Sequence, residues 1–195
     1  MRAVILTVDQ RSSRRTADLV AAAVTTYAGG AVLPFERTAG DEMQALFTDP
    51  DPVVATLEGL LREGTWHIGM GVGEVETPLP DHARAGHGEA YLLAREAVSR
   101  AKIAPAHVAV GGTGYRARQV ETVLWLWAGV LGRRTPKGWE VADLVASGAT
   151  YHQVGERLGI TQSAVSQRAH AAGLVEATRA RALAGELLAE LLEED

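Results

Sequence analysis

Apolar positions along the 195-residue chain change period several times, and each change marks an element. Ala3–Val8 is an unbroken apolar run rich in β-branched residues, the pattern of a buried central strand. Asp9 stands at its carboxyl end. The polar loop Gln10–Arg15 follows, then an Ala-rich helix over Thr16–Tyr27 with Ser or Thr available to cap it, closed by Gly29-Gly30. Val32–Thr38 and Met43–Thr48 read as two strands joined by the turn Ala39-Gly40-Asp41-Glu42, a β-hairpin. Asp51–Arg62, opened by Asp-Pro, is a second helix. Trp66–Glu74 is a further strand carrying glycines at 69, 71 and 73. A polar loop reaches Gly86, and a long amphipathic helix runs from His87 to Lys102. His107–Val110 is a short last strand. Gly111-Gly112-Thr113-Gly114 after it is a turn and not a P-loop, because no Lys-Ser or Lys-Thr follows.

This order predicts an α/β (α+β) first domain, a ferredoxin-like sandwich of one sheet with helices on one face, over residues 1–114. Helical signal resumes over Tyr115–Leu131. Trp125 and Trp127 in it cannot share one side, so one is core and the other lies at a domain junction or partner surface. Arg133–Gly138 breaks the pattern, which makes residues 115–137 a connecting helix and linker and residues 138–195 a second, all-α domain. Trp139–Ala146 is its support helix. Val175–Glu193 is its last, with Leu183, Leu187 and Leu191 at steps of four beside Leu188 and Leu192. That stripe is too broad for an isolated exposed helix and packs on its own domain or on a second subunit.

The second domain centres on Thr150–Gly173. Two helical patterns, Tyr151–Leu158 and Gln162–Ala172, are separated by Gly159-Ile160-Thr161. Gly159 suits the left-handed residue that ends a helix, and Thr161 is an N-cap for the next. Val154, Leu158, Ile160 and Val165 fall where two steeply crossed helices meet, with Gly155 leaving room for the approach. This is the layout of a helix-turn-helix, whose second helix enters the DNA major groove. With Val165 inward, Thr161, Gln162, Ser163, Ser166, Gln167 and His170 face out to bases, while Arg157 and Arg168 are placed for the backbone.

Composition narrows the classes further. Hydrophobic residues make up 47% of the chain, ample for a core. The absence of cysteine excludes disulfides and thiolate chemistry and fits a reducing cytoplasm. No apolar stretch approaches the roughly 20 residues that span a membrane. The net charge of −5 excludes a protein that coats nucleic acid over its whole surface. Between Arg133 and Val175, however, Arg133, Arg134, Lys137, Arg157 and Arg168 outnumber Glu140, Asp143 and Glu156. A basic module on an acidic body favours site-specific binding. The six histidines are scattered, none four apart on one predicted helix, so no histidine metal cluster is expected.

In the first domain, Asp9 and Asp41 belong to neighbouring parts of the expected sheet, and two acids at a strand edge are a common hold for Mg²⁺. The loop Arg11-Ser12-Ser13-Arg14-Arg15 opens a helix, whose free N–H groups favour an anion. Together they suggest a site for Mg²⁺ with a nucleotide; strand-end acids and surface arginines that are merely solvated would look the same. The segments FERTAGDEMQALF, HIGMGVGEV and GHGEAYLLAREAVSRAK resemble the palm of class III nucleotidyl cyclases and the related diguanylate cyclases. Nearly the whole chain, including the Arg-Arg-Thr-Pro segment and the reader helix, resembles the SatD-like family, which joins a cyclase-like region to a helix-turn-helix. The resemblance implies that Asp9 and Asp41 match the metal-holding aspartates and that Arg95 matches the arginine steadying charge on the transferring phosphate. It also has departures: the cyclase asparagine four residues before that arginine is Tyr91, and the usual glycine-phenylalanine-threonine run after Asp9 is missing.

The expectation is a cytoplasmic, homodimeric, sequence-specific regulator that binds double-stranded DNA. Its degenerate cyclase-like domain senses a ligand, a nucleotide among the candidates, or mediates dimerisation. The alternative is a metal-dependent nucleotidyl cyclase or related phosphoryl-transfer enzyme with an appended helix-turn-helix, and a third class is an interaction scaffold that does not bind DNA.

Overall fold

In a computed structural model, which describes residues 1–112 and 114–194, an N-terminal mixed sheet of five strands packed with helices is followed by a C-terminal helical region. The strands are β1 Arg2–Gln10, β2 Leu33–Arg37, β3 Glu42–Phe47, β4 Trp66–Glu74 and β5 Val108–Val110. Their order is β2-β3-β1-β4-β5, all neighbours antiparallel except β4 and β5, which are parallel. The helices are α1 Val20–Thr26, α2 Pro50–Glu63, α3 Glu89–Ala101, α4 Tyr115–Leu131, α5 Pro136–Ala146, α6 Tyr151–Leu158, α7 Gln162–Ala171 and α8 Leu174–Glu193. Thr113, in the expected turn at 111–114, lies outside the described residues. Among the described residues, no helix is long and apolar enough to cross a membrane.

β1 is central, and Ala3–Leu6 are fully buried because both faces of the sheet are covered. One face carries Val4, Leu6 and Val8, opposite Phe47, Ala45 and Met43 of β3 and Val72, Met70 and Ile68 of β4. It packs on Val53, Val54, Leu57 and Leu60 of α2 and on Val120, Leu124 and Trp127 of α4. The other face carries Ala3 and Ile5 and is covered by Ala90, Tyr91 and Ala94 of α3. The expectation of helices on one face only is therefore corrected. A parallel β4–β5 pair needs a crossover, and α3 makes it on the side away from α1 and α2.

The glycines at 69, 71 and 73 explain how closely α3 lies. They alternate on β4, opposite Thr7, Ile5 and Ala3. A Cβ at Gly69 would sit 2.2 Å from the Val98 nitrogen, and one at Gly71 would sit 2.1 Å from the Ala90 carbonyl oxygen. On the helix side, Ala90, Ala94, Ala97 and Ala101 supply matching small surfaces, each fully buried. Helix backbone thus rests on strand backbone.

Two element boundaries differ from expectation by more than two residues. α1 starts at Val20 and not at Thr16, with no Ser or Thr cap. The cause is Gln10, only 2% exposed. Its side-chain amide donates to Thr16 Oγ1 (3.0 Å) and the Ala17 carbonyl (2.6 Å), and its oxygen accepts from the Leu19 N–H (2.9 Å). Residues 16–19 are thereby held out of the helix until Asp18 accepts from the Val20 N–H. At the other boundary, the segment expected to be a free linker is a helix start, with Thr135 capping Gly138 and Pro136 in the first turn. Arg134 is 8% exposed, donates to the Ala172 carbonyl (3.0 Å) and stacks on Trp139, whose ring Arg62 also approaches. Of the two tryptophans in α4, Trp127 is core. Trp125 donates to the Val108 carbonyl of β5 (2.8 Å), so it sits on the sheet and not at a junction.

α5, α6 and α7 share a small core of Val141, Val154, Val165 and Ala169. α8 does not stay with them. Its Ala177, Ala184, Leu188 and Leu191 join the core built on α2 and α4, Arg181 pairs with Glu58, and Arg116 pairs with Glu190 and Glu194. The apolar stripe of this last helix is therefore largely satisfied within the chain, leaving Leu183 exposed.

Gly71→Ala is expected to cost about 3 kcal/mol or more by overpacking, read as a lower urea midpoint. Gly129→Ala, where an added Cβ meets nothing within 4 Å, should be neutral or stabilising by up to about 1 kcal/mol. A Gly71→Ala midpoint equal to the wild type would refute the close contact.

Candidate functional sites

The residues expected to read DNA lie on α6 and α7. Thr150 and Gln153 form a reciprocal cap at the start of α6: Thr150 Oγ1 accepts from the Gln153 N–H (3.3 Å), and Gln153 Oε1 accepts from the Thr150 N–H (2.9 Å). Gly159 ends α6 at φ 63°, in the left-handed region. Gly155 lets the turn fold back, since a Cβ there would meet the Ile160 carbonyl oxygen at 2.8 Å. Thr161 Oγ1 then accepts from the Ala164 N–H (3.2 Å) and starts α7. Val165 and Ala169 point into the small core. That leaves Gln162, Ser163, Ser166, Gln167 and His170 exposed, with Arg157 exposed on α6 and Arg168 half-buried on α7. Among the described residues, none of these seven side chains has a hydrogen-bond or ion-pair partner. Arg133 and Lys137 are exposed nearby, but Arg134 is spent on Trp139 and Ala172, so the basic surface is one arginine smaller than counted.

The residues expected around a nucleotide fall in two places. Asp9, near the carboxyl end of β1, and Asp41, in the turn between β2 and β3, lie at the same end of the sheet, where the Asp41 carbonyl accepts from the Gln10 N–H. Lys102, just past α3, reaches Asp9 at 3.3 Å, and the Ser13 hydroxyl donates to Asp41. That donation holds the Asp41 carboxyl below its usual range against the opposing effect of burial, with Lys102 and Arg14 adding their charges. Both carboxylates are thus engaged by protein groups, Asp9 by the Lys102 ammonium and Asp41 by the Ser13 hydroxyl. Among the described residues, no three His, Asp or Glu side chains converge as a metal site. Arg11 donates to the Gly64 carbonyl (2.7 Å), Ser12 takes a left-handed φ of 56°, and Arg14 is exposed. The anion cradle expected from a helix opening after Arg15 is corrected: Ser13–Arg15 is a single 3₁₀ turn and α1 begins five residues later. Arg95 is elsewhere, halfway along α3, in a groove with Arg84, His87 and Tyr91 whose lining includes neither aspartate.

Beside Asp9 lies a pair that the sequence did not announce. His67 of β4 and His107 meet edge-on at 5.0 Å between ring centroids, and the Nδ1 of each is buried without a partner. Forty residues separate them, and only the parallel register, with Ile68 beside Val108, brings them together. Burial is the first cause lowering the pKa of both. For His67 the neighbouring His107, Arg11 and Lys102 lower it further while Asp9 raises it; for His107, Arg11 lowers and the Ala101 backbone raises.

Compared with models of protein families and with curated proteins, the chain matches none.

Because the folded imidazoles resist protonation, the unfolded chain takes up protons first. The contribution of this pair is present above about pH 6.5 and is lost as pH falls toward the lowered folded values. Unfolding midpoints at pH 7.5 and 5.5 should therefore separate less in a His67→Gln, His107→Asn double variant than in the wild type. An equal separation would show that the pair does not couple to folding. Asn is chosen because residue 107 sits at φ 56°.

Proposed function

We propose that the chain is a sequence-specific DNA-binding regulator in which α6 and α7 form a helix-turn-helix and α7 reads the major groove. One observation carries this. Gln162, Ser163, Ser166, Gln167 and His170 form an exposed row with no partner among the described residues, on a helix fixed from behind by Val165 and Ala169. Gln and Ser are suited to adenine edges, to several other base edges and to phosphates, and Arg157, Arg168, Arg133 and Lys137 supply the backbone charges. The pairing β4-β1-β3-β2 with β5 added alongside supports a ferredoxin-like body of the palm kind that the resemblance implies. In this proposal the body senses a ligand.

Turnover is not part of it. The Asp9 carboxylate pairs with Lys102, Asp41 takes the Ser13 hydroxyl, and the cyclase asparagine is Tyr91, buried against Gly86. Dimerisation remains part of the proposal through half-site geometry, since two reader helices engage successive major grooves about 34 Å apart. The stripe of α8 lends it little, being mostly buried in its own chain.

Selection of genomic DNA fragments at physiological salt should enrich a two-fold symmetric motif with wild-type protein. Ser166→Ala, Gln167→Ala should lose it, with each lost base contact worth about 1–3 kcal/mol. Equal enrichment by both proteins would remove α7 as the reader. No enrichment by wild type, with and without Mg²⁺ and a nucleotide mixture, would end the regulator reading.

A further inference from the structure

From the groove beside α3 we infer a binding site for a small organic phosphate, held by Arg84 and Arg95 and separate from the Asp9–Asp41 end of the sheet. The groove has a volume of about 550 Å³, within the range of small-ligand sites. Arg84 comes from the short turn Ala83–Ala85, Arg95 from the exposed side of α3, and His87 from the segment between them. Among the described residues neither arginine side chain makes an ion pair or hydrogen bond, although arginines elsewhere, such as Arg37, Arg62 and Arg181, are paired with carboxylates. Two unengaged guanidinium groups facing one concavity repel each other. An anion between them removes that repulsion, and the planar fork of arginine matches phosphate oxygens two at a time.

Two further observations point the same way. No side chain caps the first turn of α3, so its leading N–H groups stay free at the Gly86-His87-Gly88 end of the groove. Gly88 must be glycine there: its φ is 126°, and a Cβ would meet the Glu74 carbonyl oxygen at 2.5 Å. The hydroxyl of Tyr91, a residue 8% exposed, is buried at the groove without a hydrogen-bond partner, in contact with Gly86. A buried hydroxyl left unpaired is costly, and a ligand oxygen reaches it only by opening its contact with Gly86. Glu76 and Glu89 also line the groove. The Glu89 carboxylate accepts from the Glu74 N–H (3.4 Å) but keeps its charge, so Glu76 and Glu89 both oppose the ligand and the two arginines must outweigh them. Tyr91 and Leu92 give one wall an apolar surface, which is why the ligand is an organic phosphate and not the bare ion.

The inference rests on the regulator reading for its purpose, as the ligand that the body senses, but its chemistry stands apart from DNA. The full chain would be titrated calorimetrically at low salt with inorganic phosphate, pyrophosphate and a set of 5′-mononucleotides. One site per chain is expected for at least one mononucleotide, tighter than for inorganic phosphate and weakened by added salt. Arg84→Ala and Arg95→Ala should each weaken it about tenfold or more, while Arg14→Ala, at the other end, should leave it unchanged. Failure of every probe to saturate below about 10 mM, equal binding by both alanine variants, or loss in Arg14→Ala alone would overturn the inference. DNA selection by the same preparation separates the two ideas. Retained operator enrichment without phosphate binding sinks only the ligand site, and phosphate binding without enrichment sinks only the regulator.

Discussion

The contact on which the rest of the structure depends is backbone against backbone, where α3 lies on the glycine stripe of β4. Side chains normally keep packed layers apart, about 10 Å between stacked sheets. Here Gly69, Gly71 and Gly73 remove them on one side, and Ala90, Ala94, Ala97 and Ala101 reduce them on the other. Interiors packed at crystal density transmit such a constraint instead of absorbing it. The register of α3 along the strand is therefore fixed, and with it three positions. Its start is held at Gly88, its middle carries Arg95 outward, and the residue just past its end is Lys102 beside Asp9.

The joint between sheet and helical region is held by a different mixture. Arg62 pairs with Asp143 through two hydrogen bonds of 2.7 and 2.9 Å, but both side chains are about half exposed. Such a pair contributes on the order of 0–1 kcal/mol. Trp139 adds to it, with the guanidinium groups of Arg62 and Arg134 at 4.1 and 4.3 Å from its ring. Burial lowers the pKa of Arg134, so its charge has been taken partly out of water, and the Ala172 carbonyl and the ring face are its compensation.

What could be read from the sequence were features set by neighbours along the chain. β4 spans Trp66–Glu74 and α6 spans Tyr151–Leu158, as their patterns predict, because β periodicity, the Thr150 cap and Gly159 act within a few residues. The inward turn of Val165, and hence the exposed row on α7, was legible for the same reason. Where the sequence misled, a distant group had intervened. Gln10 reaches forward to hold residues 16–19 out of α1. Arg134 looks like surface charge until Trp139 and Ala172 fold over it. His67 and His107 carry no local sign of each other, and Arg84 and Arg95 converge only because the loop from 75 to 88 folds back beside α3. Asp9 and Asp41 share one end of the sheet as expected, but their partners, Lys102 and Ser13, are products of the fold.

Helix α8 returns to the body, where the Arg2 guanidinium donates to the Leu191 carbonyl at 2.9 Å and α8 runs against α4. The unit of α5, α6 and α7 is thus an insertion, entering from α4 and leaving into α8, and not a pendant module on a single tether. A pendant module swings freely, and its orientation reports nothing about the body. A unit clamped at entry and exit behaves as a lever with two fulcra. Its orientation is therefore tied at both ends to how α4 and α8 pack on the sheet.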